Sequence, residues 1–192
     1  MILLARHGET DDNVPPYRFQ GQRDTPLNDR GRAQARELAE RVAALDPPVA
    51  SLWASDLSRA RETAEIVGER IGLEPRLDPR LREGWRGEWE GHLFDEIAAR
   101  EPERYAEWRA PDAEVGFRFP GGETLAQQQA RVLACLREVE AELDGAGPAL
   151  VVCHGGSIRT VLCARDPRGL AAFHTFEVPN VALVPVEQAV LW

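Results

Sequence analysis

The sequence predicts an α/β fold: a mostly parallel central sheet with helices on both faces and a small helical cap inserted at about residues 91–122. Two observations carry this expectation. Short apolar runs alternate along the chain with longer stretches whose apolar residues recur at helical spacing, the pattern of a sheet covered by helices. The alternation then breaks between Gly91 and Gly122, as an insertion capping one edge of the sheet would break it.

"ILLA", from Ile2, reads as a buried strand: short, apolar, and stopped by Arg6-His7-Gly8. Asp11 to Leu27 is polar and rich in Pro and Gly, hence a loop. Asn28 is placed to cap a helix to about Leu45, with Ala35, Leu38, Val42 and Leu45 on one face. "VASLWAS", from Val49, is a second strand, and a helix from about Asp56 to Ile71 turns Ala60, Ala64, Val67 and Ile71 inward. "PRLDPRLRE" holds an edge strand interrupted by Pro79. One or two short helices follow to Trp108, broken near Pro102, and then a turn-rich loop, "APDAEVGFRFPGGE". A long helix spans Thr124 to Leu143, "ALVVCH" is a third buried strand, and a short helix starts at about Ser157. The tail, "FHTFEVPNVALVPVE" and "AVLW", reads as strands joined by a turn at Pro179-Asn180.

The 192 residues suffice for one domain, 1–192, with a substantial core. A formal net charge of −9 argues against nucleic acid and against an anionic membrane surface as partners. No apolar run approaches the length of a membrane span and no signal peptide is visible, so a cytoplasmic protein is expected. A homodimer is compatible with a free sheet edge but not required. Cys135, Cys153 and Cys163 lack metal-ligand spacing; Cys135 falls in a helical pattern and Cys153 in an apolar strand run, as small core residues do. Every one of the 23 basic residues is arginine. Codon usage accounts for that simply, but it means that any anion site must be built from Arg or His.

In such a sheet, ligands bind beyond the C-terminal ends of the strands. One strand ends in Arg6-His7-Gly8, another at Ser55 with Arg59 just inside the next helix, and a third in His154-Gly155-Gly156. A lone histidine at a strand end is more often structural than catalytic. Two such ends, each followed by glycine, bring two histidines and two arginines to one place if the strands are neighbours. An internal Arg6 would be costly to desolvate without an anion, and a phosphate would supply it. Arg6, Arg59, a cationic or donating His154 and backbone donors then suit a phosphoryl group, with histidine as covalent nucleophile and no metal or other cofactor. The leaving oxygen needs a proton. Glu83 in "LREGWRGEWEG" is the candidate, its pKa expected to rise beside phosphate oxygens, although an ordinary surface carboxylate would look the same.

"RHGETDDN", "QGQRDTPLNDRGRAQA", "SDLSRARETA", "LREGWRGEWEG", "PGGETL" and "VVCHGGSIR" together resemble the histidine phosphatase superfamily, also called phosphoglycerate-mutase-like, in order from Ile2 to about Arg159. The resemblance implies that His7 is the phosphorylated nucleophile, that Arg6, Arg59 and His154 complete the phosphate pocket, and that Glu83 donates the proton. It implies that Thr10, Asn13, Gln20, Gly21 and Gly155 line or shape the site, and that Glu123 supports it. The Trp-Glu-Gly ending of "LREGWRGEWEG" looks like the phosphatase branch, whereas Trp85 and Arg86 replace a pair common there. His92 and His174 read as surface or rim residues, and Trp53, Trp89 and Trp108 as packing residues. The expected activity is metal-independent hydrolysis of a small phosphomonoester. A mutase that returns the phosphoryl group to substrate, and a silent phosphate-binding module, are the alternatives; release of inorganic phosphate separates them.

Overall fold

The computed structural model describes residues 1–110, 116–143, 145 and 147–186. Among these, β1 (Ile2–Arg6), β2 (Ser51–Ala54), β3 (Arg76–Leu77), β4 (Ala149–Cys153) and β5 (Leu183–Val186) form one sheet, ordered β3-β2-β4-β1-β5. The first four run parallel, and β5 pairs antiparallel with β1. The mostly parallel α/β sheet expected from the sequence is therefore present.

Residue alternation along the strands assigns the two faces. Ile2, Leu4, Ala149, Val151 and Cys153 pack against Val132, Leu136 and Val139 of α5 (Leu125–Ala141) and Ile158 and Val161 of α6 (Gly155–Cys163). The intervening residues Leu3, Ala5, Leu150 and Val152 pack against α1 (Asp29–Ala43) and α2 (Ser58–Ile71) through Leu38, Val42, Ala60, Ala64 and Val67. Helices cover both faces, which is why β1 and β4 read as unbroken apolar runs. Asn28 caps α1 by accepting from the Gly31 amide at 2.8 Å.

Three elements depart from the sequence reading. The helix expected from Ser157 begins at Gly155, two glycines earlier. Glycine disfavours a helix by about 1 kcal/mol relative to alanine, but here bulk is excluded: a β-carbon on Gly156 would stand 2.2 Å from Glu83 Oε1. In the tail, Phe173–Thr175, read as the start of a strand, belong to the 3-10 turns at Gly169–Thr175, where Ala172 and Phe173 are buried against Leu125 and Cys163. Among the described residues of the tail only Leu183–Val186 is a strand, and 187–192, with "AVLW", lies outside them.

The third departure is the cap. Its helices are α3 (Phe94–Arg100) and α4 (Pro102–Arg109), with Pro102 opening the second. Ile97, Phe117 and Phe119 join Phe19 and the fully buried Trp89 in a separate aromatic cluster. Rather than finishing an edge of the sheet, the cap walls a cleft at the C-terminal ends of the strands, where Phe94, Trp108 and Arg109 face Arg6 and His7.

Candidate active site

β4 lies between β1 and β2, so the three strand ends named above are neighbours. Arg6, His7, Asn13, Gln20, Gly21 and Glu83 line one cleft of about 520 Å³. Arg59 and His154 are fully buried under its floor. The His7 and His154 rings are 5.1 Å apart between centroids. Gly155 lies under Arg6, where a β-carbon would come within 3.4 Å of the guanidinium Nε. Thr10 is buried behind the lining, accepting from Gln20 at 2.7 Å.

The orientation of His7 is fixed from three sides. Its Nδ1–H donates to the Gly8 carbonyl at 2.6 Å, a group that can only accept, so the lone pair is on Nε2. Its own carbonyl accepts from the Asn180 side chain at 3.0 Å, and its amide donates to the Cys153 carbonyl at 3.0 Å. Gly8 is required for packing rather than for close approach of a ligand. A β-carbon there would stand 2.3 Å from the Gly31 carbonyl in the first turn of α1.

Four buried nitrogens here lack a hydrogen-bond partner among the described residues: Arg6 Nε, Asn13 Nδ2, Arg59 Nε and His154 Nδ1. Buried donors are otherwise nearly always paired, so four together mark a site built for an acceptor-rich group. Both arginines are held by backbone carbonyls. Arg6 donates to Val178 at 2.6 Å; Arg59 donates to Gly21 at 2.7 Å and to Arg23 at 2.8 Å. Burial lowers the pKa of each to about 10, with Glu83 acting in the opposite sense.

Burial, and after it the positive field of Arg59, pulls both histidines well below their ordinary pKa. The rings are therefore neutral at pH 7, and the cationic form allowed for His154 is not present in the free protein. Such rings stay uncharged in the fold while the unfolded chain protonates below about 6.5, so stability should be lost as pH falls through that value. With two rings the slope approaches about 2.7 kcal/mol per pH unit once the unfolded chain is protonated at both. Urea unfolding between pH 7 and pH 5 tests this, against a His7→Gln/His154→Gln double variant in which that loss should vanish. Equal slopes in the two proteins would show that the rings charge within the fold.

Glu83 is ionised in the free protein. Burial raises its pKa, but Arg86, the amides of Gly84 and Gly156 and the Gln128 side chain outweigh burial and hold it at about 2. Oε1 accepts from Gly84 and Gln128, each at 2.8 Å, while Oε2 accepts from Gly156 at 2.9 Å. The rise expected from the sequence belongs to the state with phosphate oxygens beside it.

A family model described as histidine phosphatase superfamily (branch 1) matches residues 2–189. The chain belongs to this superfamily. It is 38% identical over 170 residues to the glucosyl-3-phosphoglycerate phosphatase of Mycobacterium tuberculosis, covering 85% of this chain and 74% of that protein. It is 37% identical over 156 residues to a probable phosphoglycerate mutase of Serratia proteamaculans, covering 80% and 69%. Among solved structures, the mycobacterial glucosyl-3-phosphoglycerate phosphatase complexed with VO3 superposes with a TM-score of 0.81 at 33% identity, covering 95% of this chain and 90% of that one. Bacillus stearothermophilus YhfR gives 0.85 at 31%, covering 97% and 91%.

In this superfamily member, Glu123 works from outside the cleft. It pairs with Arg131 at 2.5 Å, and Arg131 donates to the carbonyls of Arg80, Arg82 and Glu83, bracing the loop that carries Glu83. His174 lines the cleft beside Trp108 and Phe173, so Trp108 both packs and lines. His92 is partly exposed beside Glu96, away from the site, and Trp85 is 48% exposed outside the cleft lining.

Several supporting residues were given no role by the sequence, although Ser55 and Thr63 lie in the block "SDLSRARETA". Ser55 Oγ is 2.9 Å from His154 Nε2, Thr63 accepts from the Gly8 amide at 3.1 Å, and Gln128 reaches Glu83 from α5. Asn180 precedes Val181, a β-branched residue at φ 52°. That left-handed backbone costs on the order of 1–3 kcal/mol, and the turn containing it presents Val178 to Arg6 and Asn180 to His7.

Proposed function

We propose that this protein hydrolyses small phosphomonoesters through a phosphohistidine at His7. The observation that carries the reading is the uncharged His7 Nε2 set among four unpartnered buried nitrogens. Nε2 attacks phosphorus, the ester oxygen leaves with a proton from Glu83, and water then displaces the phosphoryl group while Glu83 takes a proton back.

Arg6, Arg59 and Asn13 hold the phosphoryl oxygens. His154 contributes a neutral Nδ1–H: Ser55 Oγ accepts from the Leu57 amide at 3.3 Å, and its own proton goes to His154 Nε2. A phosphoryl dianion arriving beside Glu83 raises the carboxyl from its low value in the free protein, as like charges do. Oε1 already accepts two hydrogen bonds and Oε2 one, so the transferable proton belongs on Oε2.

Phosphate release from a panel containing phosphoserine, 3-phosphoglycerate and glucosyl-3-phosphoglycerate tests the reading. Turnover should be unchanged in excess EDTA, because arginines and His154 supply the charge a metal would otherwise supply. A large loss in EDTA would assign that role to a metal. Isomerisation of 3-phosphoglycerate without phosphate release would replace hydrolysis by a mutase reaction.

A further inference from the structure

Arg86 differs from the other arginines at the cleft, of which Arg109 is exposed. Arg6, Arg18, Arg59 and Arg159 each donate to backbone carbonyls. The Arg86 guanidinium makes no hydrogen bond to a described residue, although its side chain is only 13% exposed; the carboxylate it faces is Glu83, 3.8 Å away at Oε1. It is nevertheless fixed. Its Cζ stacks 4.6 Å from the Phe119 ring centroid. Two glycines clear its path: a β-carbon on Gly21 would come within 2.9 Å of Cγ, and one on Gly84 within 3.0 Å of Cζ. A rigid, nearly buried cation with uncommitted N–H groups is costly unless an acceptor arrives, and a planar fork suits an oxyanion.

Building on the hydrolase reading above, we infer that Arg86 selects substrates carrying a second oxyanion near the ester oxygen. The same contact draws its guanidinium off Glu83 and lets that carboxyl hold the proton it donates. The geometry limits the spacing. Glu83 must reach the leaving oxygen by a hydrogen bond of about 3 Å, and Arg86 is 3.8 Å further on. The proton leaves from Oε2, about 2 Å across the carboxylate from Oε1, and Arg86 reaches its acceptor over a further ~3 Å. The second oxyanion, a carboxylate or another phosphate, therefore lies within roughly 12 Å of the ester oxygen. Arg86 is also the largest of the influences holding Glu83 ionised. A substrate lacking the second group leaves that influence in place, so selection acts on catalysis as well as on binding.

Substrate pairs differing only in that group provide the test: 3-phosphoglycerate against glycerol 1-phosphate, phosphoserine against phosphoethanolamine, and ethylene glycol bisphosphate against ethyl phosphate. The wild type should favour the first member of at least one pair by about tenfold or more in kcat/KM, an effect typical of one charge-assisted contact. The carboxylate and bisphosphate pairs tell which oxyanion is read. Arg86→Gln should remove that preference. It should also raise kcat/KM for the plain ester at pH 5, since this parameter reports the free enzyme, where Glu83 would now hold its proton to higher pH.

Arg86→Lys, which keeps the charge without the fork, should lose part of the preference with no gain on the plain ester. A merely structural role would lower both members by one factor, and that result overturns the inference, as does a wild type indifferent within every pair. Absence of phosphate release from all six compounds would overturn the hydrolase reading, and this inference with it.

Discussion

Replacing His7 with alanine is expected to lower kcat by on the order of 10⁴-fold or more, because a covalent nucleophile has no substitute once removed. The fold should survive. His7 contributes one side-chain hydrogen bond, to Gly8, while its backbone bonds to Cys153 and Asn180 do not depend on the ring. Rapid quenching of the wild type during turnover of a ³²P-labelled ester should trap label stable to alkali and labile to acid, the behaviour of a phosphoramidate. Peptide mapping should find it on His7, and the alanine variant should trap none. Label on His154 would exchange the roles of the two rings. Retained turnover in a folded His7→Ala protein would remove the phosphohistidine from the mechanism.

Glu83→Gln should produce the second largest loss, and its size should depend on the leaving group. For an alkyl phosphate the proton is needed as the bond breaks, so phosphorylation of the enzyme should slow by about 10²–10⁴-fold. Nitrophenolate leaves without help. With para-nitrophenyl phosphate the variant should show a nearly normal burst followed by slow turnover, since discharge of the phosphoenzyme still requires a base. The variant also places an amide against the Gly84 and Gly156 amides, which both donate to the native carboxylate. Its thermal midpoint should therefore be measured beside Glu83→Asp, which keeps the acceptors. Burst rates reduced equally for both esters in well-folded variants would assign Glu83 to structure and send the proton elsewhere.

Much of this arrangement is written locally in the chain, and some of it is not. Arg6-His7-Gly8 and His154-Gly155-Gly156 could be found because each couples an apolar strand to a polar stop within a few residues, and parallel strands deliver such stops to one end of a sheet. The partners that tune them were out of reach. Ser55 was legible as a strand end, but its contact with His154 spans 99 residues; Asn180 meets His7 across 173 and carries no periodic or motif signal. The low resting pKa of Glu83 was out of reach for a similar reason. Proximity to phosphate argues for a raised pKa, but Gln128 and the Gly156 amide come from α5 and α6, which the local stretch around Glu83 does not contain. The start of α6 and the 3-10 turns at Gly169–Thr175 likewise follow from what surrounds them. Local preference yields there to the space that tertiary packing leaves.

The position of β1 between β4 and β5 also governs the order in which the sheet can form during synthesis. Ile2 pairs with Ala149 on one side and with Val186 on the other, so the strand carrying Arg6 and His7 is made long before either neighbour exists. Contacts so distant in sequence are slow to form and cannot be anticipated by a partly made chain. In a nascent polypeptide, therefore, the strand carrying Arg6 and His7 waits for the residues that close the sheet around it to leave the ribosome.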